Sequence, residues 1–122
     1  MVENHDLVVV IPSYNCAHTI NYVVYQAARG LAEHYPEARG LIIVSDGGST
    51  DGTRDVVRAM KLPFPVDVSV EEYPGVRGKG SAIRYGFARA LEEGARAVIM
   101  LDSDLRSVSP AWVKLLGAPY TG

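Results

Sequence analysis

Apolar positions along the chain follow two alternating rhythms. Leu7 to Ile11, Leu41 to Val44 and Ala97 to Leu101 are unbroken aliphatic runs. A run that is apolar at every position has both sides covered, as in a parallel sheet held between helices. A fourth segment differs: Val66, Val68 and Val70 alternate with Asp67 and Ser69, so one side meets water and the segment belongs at a sheet edge. Between these runs the period changes. Ile20, Val23, Val24, Ala27, Ala28 and Leu31 form one helical stripe, which Tyr35-Pro36 closes. A short helix is predicted from Thr53 to Met60 with Asp51 near its N-cap. A third helix opens after Lys79, is predicted to bury Ile83, Phe87, Ala90 and Leu91, and stops at Gly94. Ser109-Pro110 reads as an N-cap followed by proline in the first helical position, and Trp112, Leu115 and Leu116 continue that helix.

This alternation predicts an α/β architecture: a mostly parallel, Rossmann-like sheet flanked by helices and joined by right-handed crossovers. Ligands of such sheets sit beyond the carboxyl ends of the strands. Three loops fall there: Pro12 to Cys16, Ser45 to Gly52, and Asp102 to Arg106. A chain of 122 residues reads as one domain, and 48% apolar content excludes a disordered one. The net charge of -2 gives no electrostatic reason for nucleic acid or an anionic membrane as partner. The single cysteine, Cys16, excludes an internal disulfide and a Cys-rich zinc site, and suits a reducing, cytoplasmic setting. Met1 to Asp6 is polar and acidic, without the layout of a secretory leader. No apolar stretch approaches the ~20 residues of a membrane-spanning helix, which leaves peripheral attachment open.

Asp102-Ser103-Asp104 carries the strongest chemistry. Two carboxylates two residues apart at a strand end share a side, either as a surface turn or as half of a site for a hard cation such as Mg2+. In Ser45 to Thr53, Asp51 reads as a turn and cap residue. Asp46 lies too early to cap the helix and is suited to accept hydrogen bonds from a base or a ribose. Gly75-Val76-Arg77-Gly78-Lys79-Gly80 fails as a P-loop, because Gly80 stands where Ser or Thr is needed, and fails as a dinucleotide fingerprint at Ile83. It remains a basic loop opening a helix, in which Arg77 and Lys79 either neutralise a diphosphate or are plain solvated charges. Tyr14 either stacks on a nucleobase or covers the sheet end. Cys16 and His18 read as packing or surface residues, and Glu71-Glu72 and Glu92-Glu93 as solvated charges. No Gly-x-Ser-x-Gly elbow is present.

Ile11-Pro12-Ser13-Tyr14-Asn15, Val44 to Thr53, Gly78-Lys79-Gly80-Ser81-Ala82 and Asp102-Ser103-Asp104 stand in the order seen in family 2-type glycosyltransferases of the GT-A fold, and the resemblance covers nearly the whole chain. Asp102-Ser103-Asp104-Leu105 and Pro110-Ala111-Trp112 are also similar to glucosyl- and mannosyl-phosphoglycerate synthases, retaining relatives with the same nucleotide-binding half. The resemblance implies transfer of a sugar from a UDP- or GDP-linked donor to an acceptor hydroxyl. It implies that Pro12 and Tyr14 line the base pocket with Asn15 beside them, and that Asp46, followed by Gly47, hydrogen-bonds the base. Arg77 and Lys79 would lie near the diphosphate. Asp102, with Ser103 beside it, would contact the ribose or a metal-bound water, and Asp104, with Asp102, would hold Mg2+ or Mn2+. Two departures are visible: Cys16 stands where many members carry glutamate, and Ser45 precedes Asp46 where many have a second aspartate. The chain stops one helix past the Asp-x-Asp motif. The expectation is therefore that residues 1–122 form the nucleotide-sugar-binding half alone, without the acceptor half or the general base. Self-association through the face left bare is expected with it. A non-catalytic nucleotide-binding or assembly module is the main alternative. A sugar-phosphate nucleotidyltransferase is disfavoured, since Pro12-Ser13-Tyr14-Asn15 stands where its glycine-rich loop would be.

Overall fold

The computed structural model describes residues 5–75 and 77–101. Over that span the chain runs β1 (Leu7–Ser13), α1 (Ile20–His34), β2 (Gly40–Asp46), α2 (Thr53–Ala59), β3 (Val66–Glu72), α3 (Lys79–Glu92) and β4 (Ala97–Met100). The strands form one parallel sheet in the order β3-β2-β1-β4. The aliphatic runs of β1 and β2 thus become inner strands, that of β4 lies beside β1 at one edge of the described sheet, and the alternating run, β3, takes the other edge as its pattern requires.

Side chains of successive strand residues point to opposite faces, so each aliphatic run feeds two cores. Leu7, Val9, Ile11, Ile42 and Val44 pack under α1 and α2, together with Ile20, Val23, Val24, Ala27, Ala28, Leu31 and Val57. Val8, Val10, Leu41 and Ile43 pack on the other face with Ala90 of α3. The order of the strands explains the division. The chain steps from β1 to β2 to β3 in one direction and then crosses back over β1 to β4. Right-handed crossovers consequently place α1 and α2 on one face and α3 on the other. The reversal falls between β1 and β4, which is where ligands enter such sheets. Among the described residues no helix is long and apolar enough to cross a membrane.

The seat of α3 departs from the sequence expectation. Phe87 is 40% and Leu91 73% exposed, whereas Ala82, Gly86 and Ala90 are buried and Ile83 is half-buried. The reason is steric. The helix lies so close to β1 that a Cβ on Gly86 would overlap Cγ1 of Val10. Only a stripe of small residues fits there, and it displaces the bulkier Phe87 and Leu91 outward.

Glu71 is the second departure. It lies on the α3 side of β3, and four bonds hold its carboxylate: Tyr85 and Arg89 Nε donate to Oε1 at 2.6 and 2.8 Å, and Ser69 and Arg89 Nη2 donate to Oε2 at 2.7 and 3.0 Å. The side of β3 that reads as wet is therefore filled by a polar network. The Arg89 guanidinium, aided by the hydroxyls and opposed by burial, brings the Glu71 carboxyl down to about 2. Glu93 is also engaged, since its Oε1 lies 2.7 Å from His5 Nδ1.

Gly86→Ala should lower unfolding free energy by about 1–3 kcal/mol, because the added methyl has no room, while Leu91→Ser should change it by less than about 0.5 kcal/mol. Urea unfolding of both variants checks the helix rotation, and the reverse ranking would overturn it. A second expectation concerns acid. A carboxyl lowered from an ordinary 4.5 to about 2 contributes stability above pH 4.5 that disappears as pH falls toward 2. Unfolding measured at pH 5 and pH 2.5 should show the parent losing ~2 kcal/mol more than Glu71→Gln.

Candidate donor site at the carboxyl ends of the strands

Ser13, Asp46 and Glu72 are in register at the ends of β1, β2 and β3. Asp46 continues the parity of Ile42 and Val44, so its side chain enters the α1/α2 side of the sheet, where it has no exposed surface. Five donors converge on it. The hydroxyls of Ser13 and Ser49 donate to Oδ1 at 2.8 and 2.6 Å. The amides of Gly48 and Ser49 and Nη1 of Arg54 donate to Oδ2 at 3.0, 2.8 and 2.7 Å. Burial pushes the Asp46 carboxyl up, but the bonds from Ser49, Ser13 and Arg54 outweigh it and hold the group below its ordinary value. Both oxygens are thereby occupied, and for Asp46 to accept a hydrogen bond from a nucleobase one of these donors would have to leave.

The first two loops are stitched together around this carboxylate. Gly47 N donates to Ser13 O at 2.9 Å, Asn15 N to Ser49 Oγ at 2.8 Å, and Thr50 N to Asn15 Oδ1 at 2.8 Å. Cys16 N donates to Thr53 Oγ1 at 3.0 Å and Ala17 N to Asp51 Oδ2 at 3.0 Å. Asp51 also accepts the Thr53 N–H at 3.1 Å. Gly52 occupies the N-cap of α2, so Asp51 serves the helix from one residue further back. Asn15 adopts φ 47°, a left-handed conformation that asparagine tolerates.

The structure brings several sequence candidates to this rim. Tyr14 is 56% exposed, and its Cδ1 lies 3.6 Å from where a Cβ on Gly47 would stand. Arg77 belongs to the segment between β3 and α3, yet its guanidinium occupies the space a Cβ on Gly48 would need, with a Glu72 carboxylate oxygen at 3.1 Å from the same point. Lys79 is the first residue of α3. Pro12 is buried rather than presented at the rim. Its parity with Val8 and Val10 puts it on the α3 side of the sheet. Cys16 is buried and His18 exposed. Leu101 N donates to Val10 O at 3.0 Å, so β4 ends beside β1 at the strand-order reversal. Asp102, Ser103 and Asp104 lie outside the described residues. Among the described residues no cluster of His, Cys, Asp and Glu could hold a metal ion.

Sequence reasoning missed Arg54 and Tyr73. Arg54 reaches Asp46 at 2.7 Å and Glu72 at 3.5 Å. One signal was present. A cation in the first turn of a helix opposes the dipole, and its occurrence there points to a nearby anion. Tyr73, buried just past β3, shows no sequence signal of its kind.

The chain matches a family model described as Glycosyl transferase family 2 over residues 8–118. It is 33% identical over 84 residues to dolichyl-phosphate beta-glucosyltransferase of Saccharomyces cerevisiae, across 66% of this chain and 25% of that protein. Its fold is similar to glucosyl-3-phosphoglycerate synthase from Mycobacterium tuberculosis in complex with Mn2+, uridine diphosphate and glucosyl-3-phosphoglycerate. The identity is 27% and the TM-score 0.64, over 94% of this chain and 39% of that chain. A further structure of the M. tuberculosis synthase matches with 26% identity and a TM-score of 0.64, over 94% of this chain and 40% of that chain. The chain therefore spans between a quarter and two fifths of the length of these relatives.

Asp46→Asn should cost about 3 kcal/mol of stability, because an amide NH2 then faces buried donors and Arg54 loses the nearer and buried one of its two counter-charges. Ser45→Ala, which removes one bond from Ser45 Oγ to Ala82 O on the opposite face, should cost about 1 kcal/mol. Urea unfolding near neutral pH compares them, and equal stabilities would contradict the anchoring role of Asp46.

Proposed function

The chain belongs to glycosyl transferase family 2, and from that premise we propose that it carries the donor-binding part of an enzyme moving a sugar from a nucleotide diphosphate to an acceptor hydroxyl. The observation that carries this reading is the meeting of loops 12–16 and 45–52 beneath Arg77, next to the end of β4. A UDP-linked donor is favoured by the uridine diphosphate and Mn2+ bound to the similar synthase.

In this reading Tyr14 offers the base a ring face. Asn15 and Gly47 fix the backbone that borders it. Asp46 acts from behind, holding the turn in shape rather than presenting a free acceptor. Arg77 and Lys79 balance the charge of the diphosphate. Asp102, flanked by Ser103, would contact the ribose or a metal-bound water, and Asp104 with Asp102 would hold Mg2+ or Mn2+, for which paired carboxylate oxygens are suitable ligands. When bound, such a cation would disperse the negative charge that develops on the departing diphosphate. Preorganised cations help most where charge appears in the transition state, which gives Arg77 the same task from the protein side. The acceptor site and the base that deprotonates its hydroxyl are assigned to none of the described residues.

Thermal shift with UDP, UDP-glucose, GDP and GDP-mannose, each with Mn2+, Mg2+ or EDTA, tests the proposal. UDP-linked ligands should raise the melting temperature when a cation is present. Saturation at 100 times Kd would add ~2.7 kcal/mol. Asp104→Ala should remove the cation dependence. No shift with any nucleotide diphosphate would overturn donor binding, and an unchanged Mn2+ response in Asp104→Ala would overturn the metal assignment.

A further inference from the structure

Tyr73 is buried and bonded at both ends. Its backbone N–H donates to Asp46 O at 3.1 Å, which places it at the foot of the second loop. Its hydroxyl meets Gly78 twice, donating to Gly78 O at 3.0 Å and accepting from Gly78 N at 3.0 Å. Gly78 has φ 142°, open to glycine and rarely to other residues, and it is the N-cap of α3. The Tyr73 ring leans on Tyr85 of α3 with centroids 6.3 Å apart. On its other side the hydroxyl is 2.9 Å from where a Cβ on Gly47 would stand. One phenol thus fills the gap between the Gly47-Gly48 turn and the segment that carries Arg77.

We propose that Tyr73 is the positioning residue that sets Arg77 over the Gly47-Gly48 turn, by engaging both backbone groups of Gly78, and that it thereby fixes the cation meant for the donor's diphosphate. This deepens the donor-binding reading and rests on it. Three features make the phenol specific to the task. A hydroxyl both donates and accepts, so it can satisfy an N–H and a C=O of the same residue, which an apolar side chain cannot. The missing side chain of Gly47 leaves the hydroxyl its place. Arg77 follows directly, because it precedes Gly78 and its guanidinium rests against Gly48. No bond is made or broken in this role. Tyr73 acts through Arg77, and its absence should be felt as weaker diphosphate binding rather than as a lost reaction step.

The test compares parent, Tyr73→Phe, Gly47→Ala and Tyr85→Phe by calorimetric titration of UDP with Mn2+, and by the rate of tryptic cleavage after Arg77 in the ligand-free chain. Circular dichroism confirms folding of each variant. Tyr73→Phe keeps the ring and loses the hydroxyl. It should bind UDP roughly five- to tenfold more weakly, as expected for one or two lost hydrogen bonds, and should be cut faster after Arg77. Gly47→Ala, whose methyl would press on the hydroxyl, should shift both readouts the same way. Tyr85→Phe loses a bond of the same kind, to Glu71, and should leave both at the parental level. A merely structural role for Tyr73 would make Tyr85→Phe and Tyr73→Phe alike in cleavage and affinity. A folded Tyr73→Phe with parental affinity and parental cleavage overturns the proposal. If the parent itself binds no UDP, donor binding fails, while the cleavage comparison still decides whether Tyr73 holds the segment: faster cutting supports that and equal cutting refutes it.

Discussion

A carboxylate with no exposed surface remains charged only where donors replace the water it has lost. Asp46 meets that condition with two hydroxyls, two amides and a guanidinium. These donors come from β1, the turn after β2 and α2. The end of the first strand, the second loop and the start of the second helix are therefore referred to a single anion. Take it away and Ser13, Ser49 and Arg54 lose their common acceptor. The rim owes its shape to this carboxylate much as the centre of the sheet owes its cohesion to aliphatic packing.

On the opposite face the determining quantity is distance. The small stripe of Ala82, Gly86 and Ala90 lets α3 approach β1 closely, and Ser45 on that face reaches the Ala82 carbonyl at 2.8 Å. The Glu71–Arg89 pair braces the same helix against the edge strand at 2.8 and 3.0 Å. Since α3 begins at Lys79, where it sits fixes where the preceding basic segment emerges. Tyr73 then links that segment to the Asp46 loop. Packing on one face and hydrogen bonding on the other meet at the same rim.

The strands, their parallel sheet and the edge place of β3 were legible because continuous aliphatic runs admit few alternatives, whereas the strand order and the face taken by each helix came from the structure. The meeting of loops 12–16 and 45–52 at the carboxyl ends followed from that parallel sheet. What failed was rotation and remote pairing. Periodicity weighs how apolar a residue is, so Phe87 and Leu91 outranked Gly86, whereas the closeness of Val10 made size decisive. Glu71 looked solvated because its sequence neighbours are polar. Its true partners, Tyr85 and Arg89, stand 14 and 18 residues away. Asp46 was found as a residue of consequence, but nothing local announced that Ser13, Ser49 and Arg54 would occupy both of its oxygens. The Asp102–Asp104 pair rests on the sequence and the family.

Arg54 also settles an electrostatic difficulty. Asp46 and Glu72 stand side by side at the strand ends, and by themselves they would push pyrophosphate away. Arg54 lies between them at 2.7 and 3.5 Å, and Arg77 shares the ground above Gly48 with Glu72. Two guanidinium charges against two carboxylates leave this patch with no net repulsion at long range. The diphosphate of the proposed donor would be neither driven off nor strongly drawn in there, so its selection would fall to contacts made after arrival, and those survive salt better than a distant attractive field would.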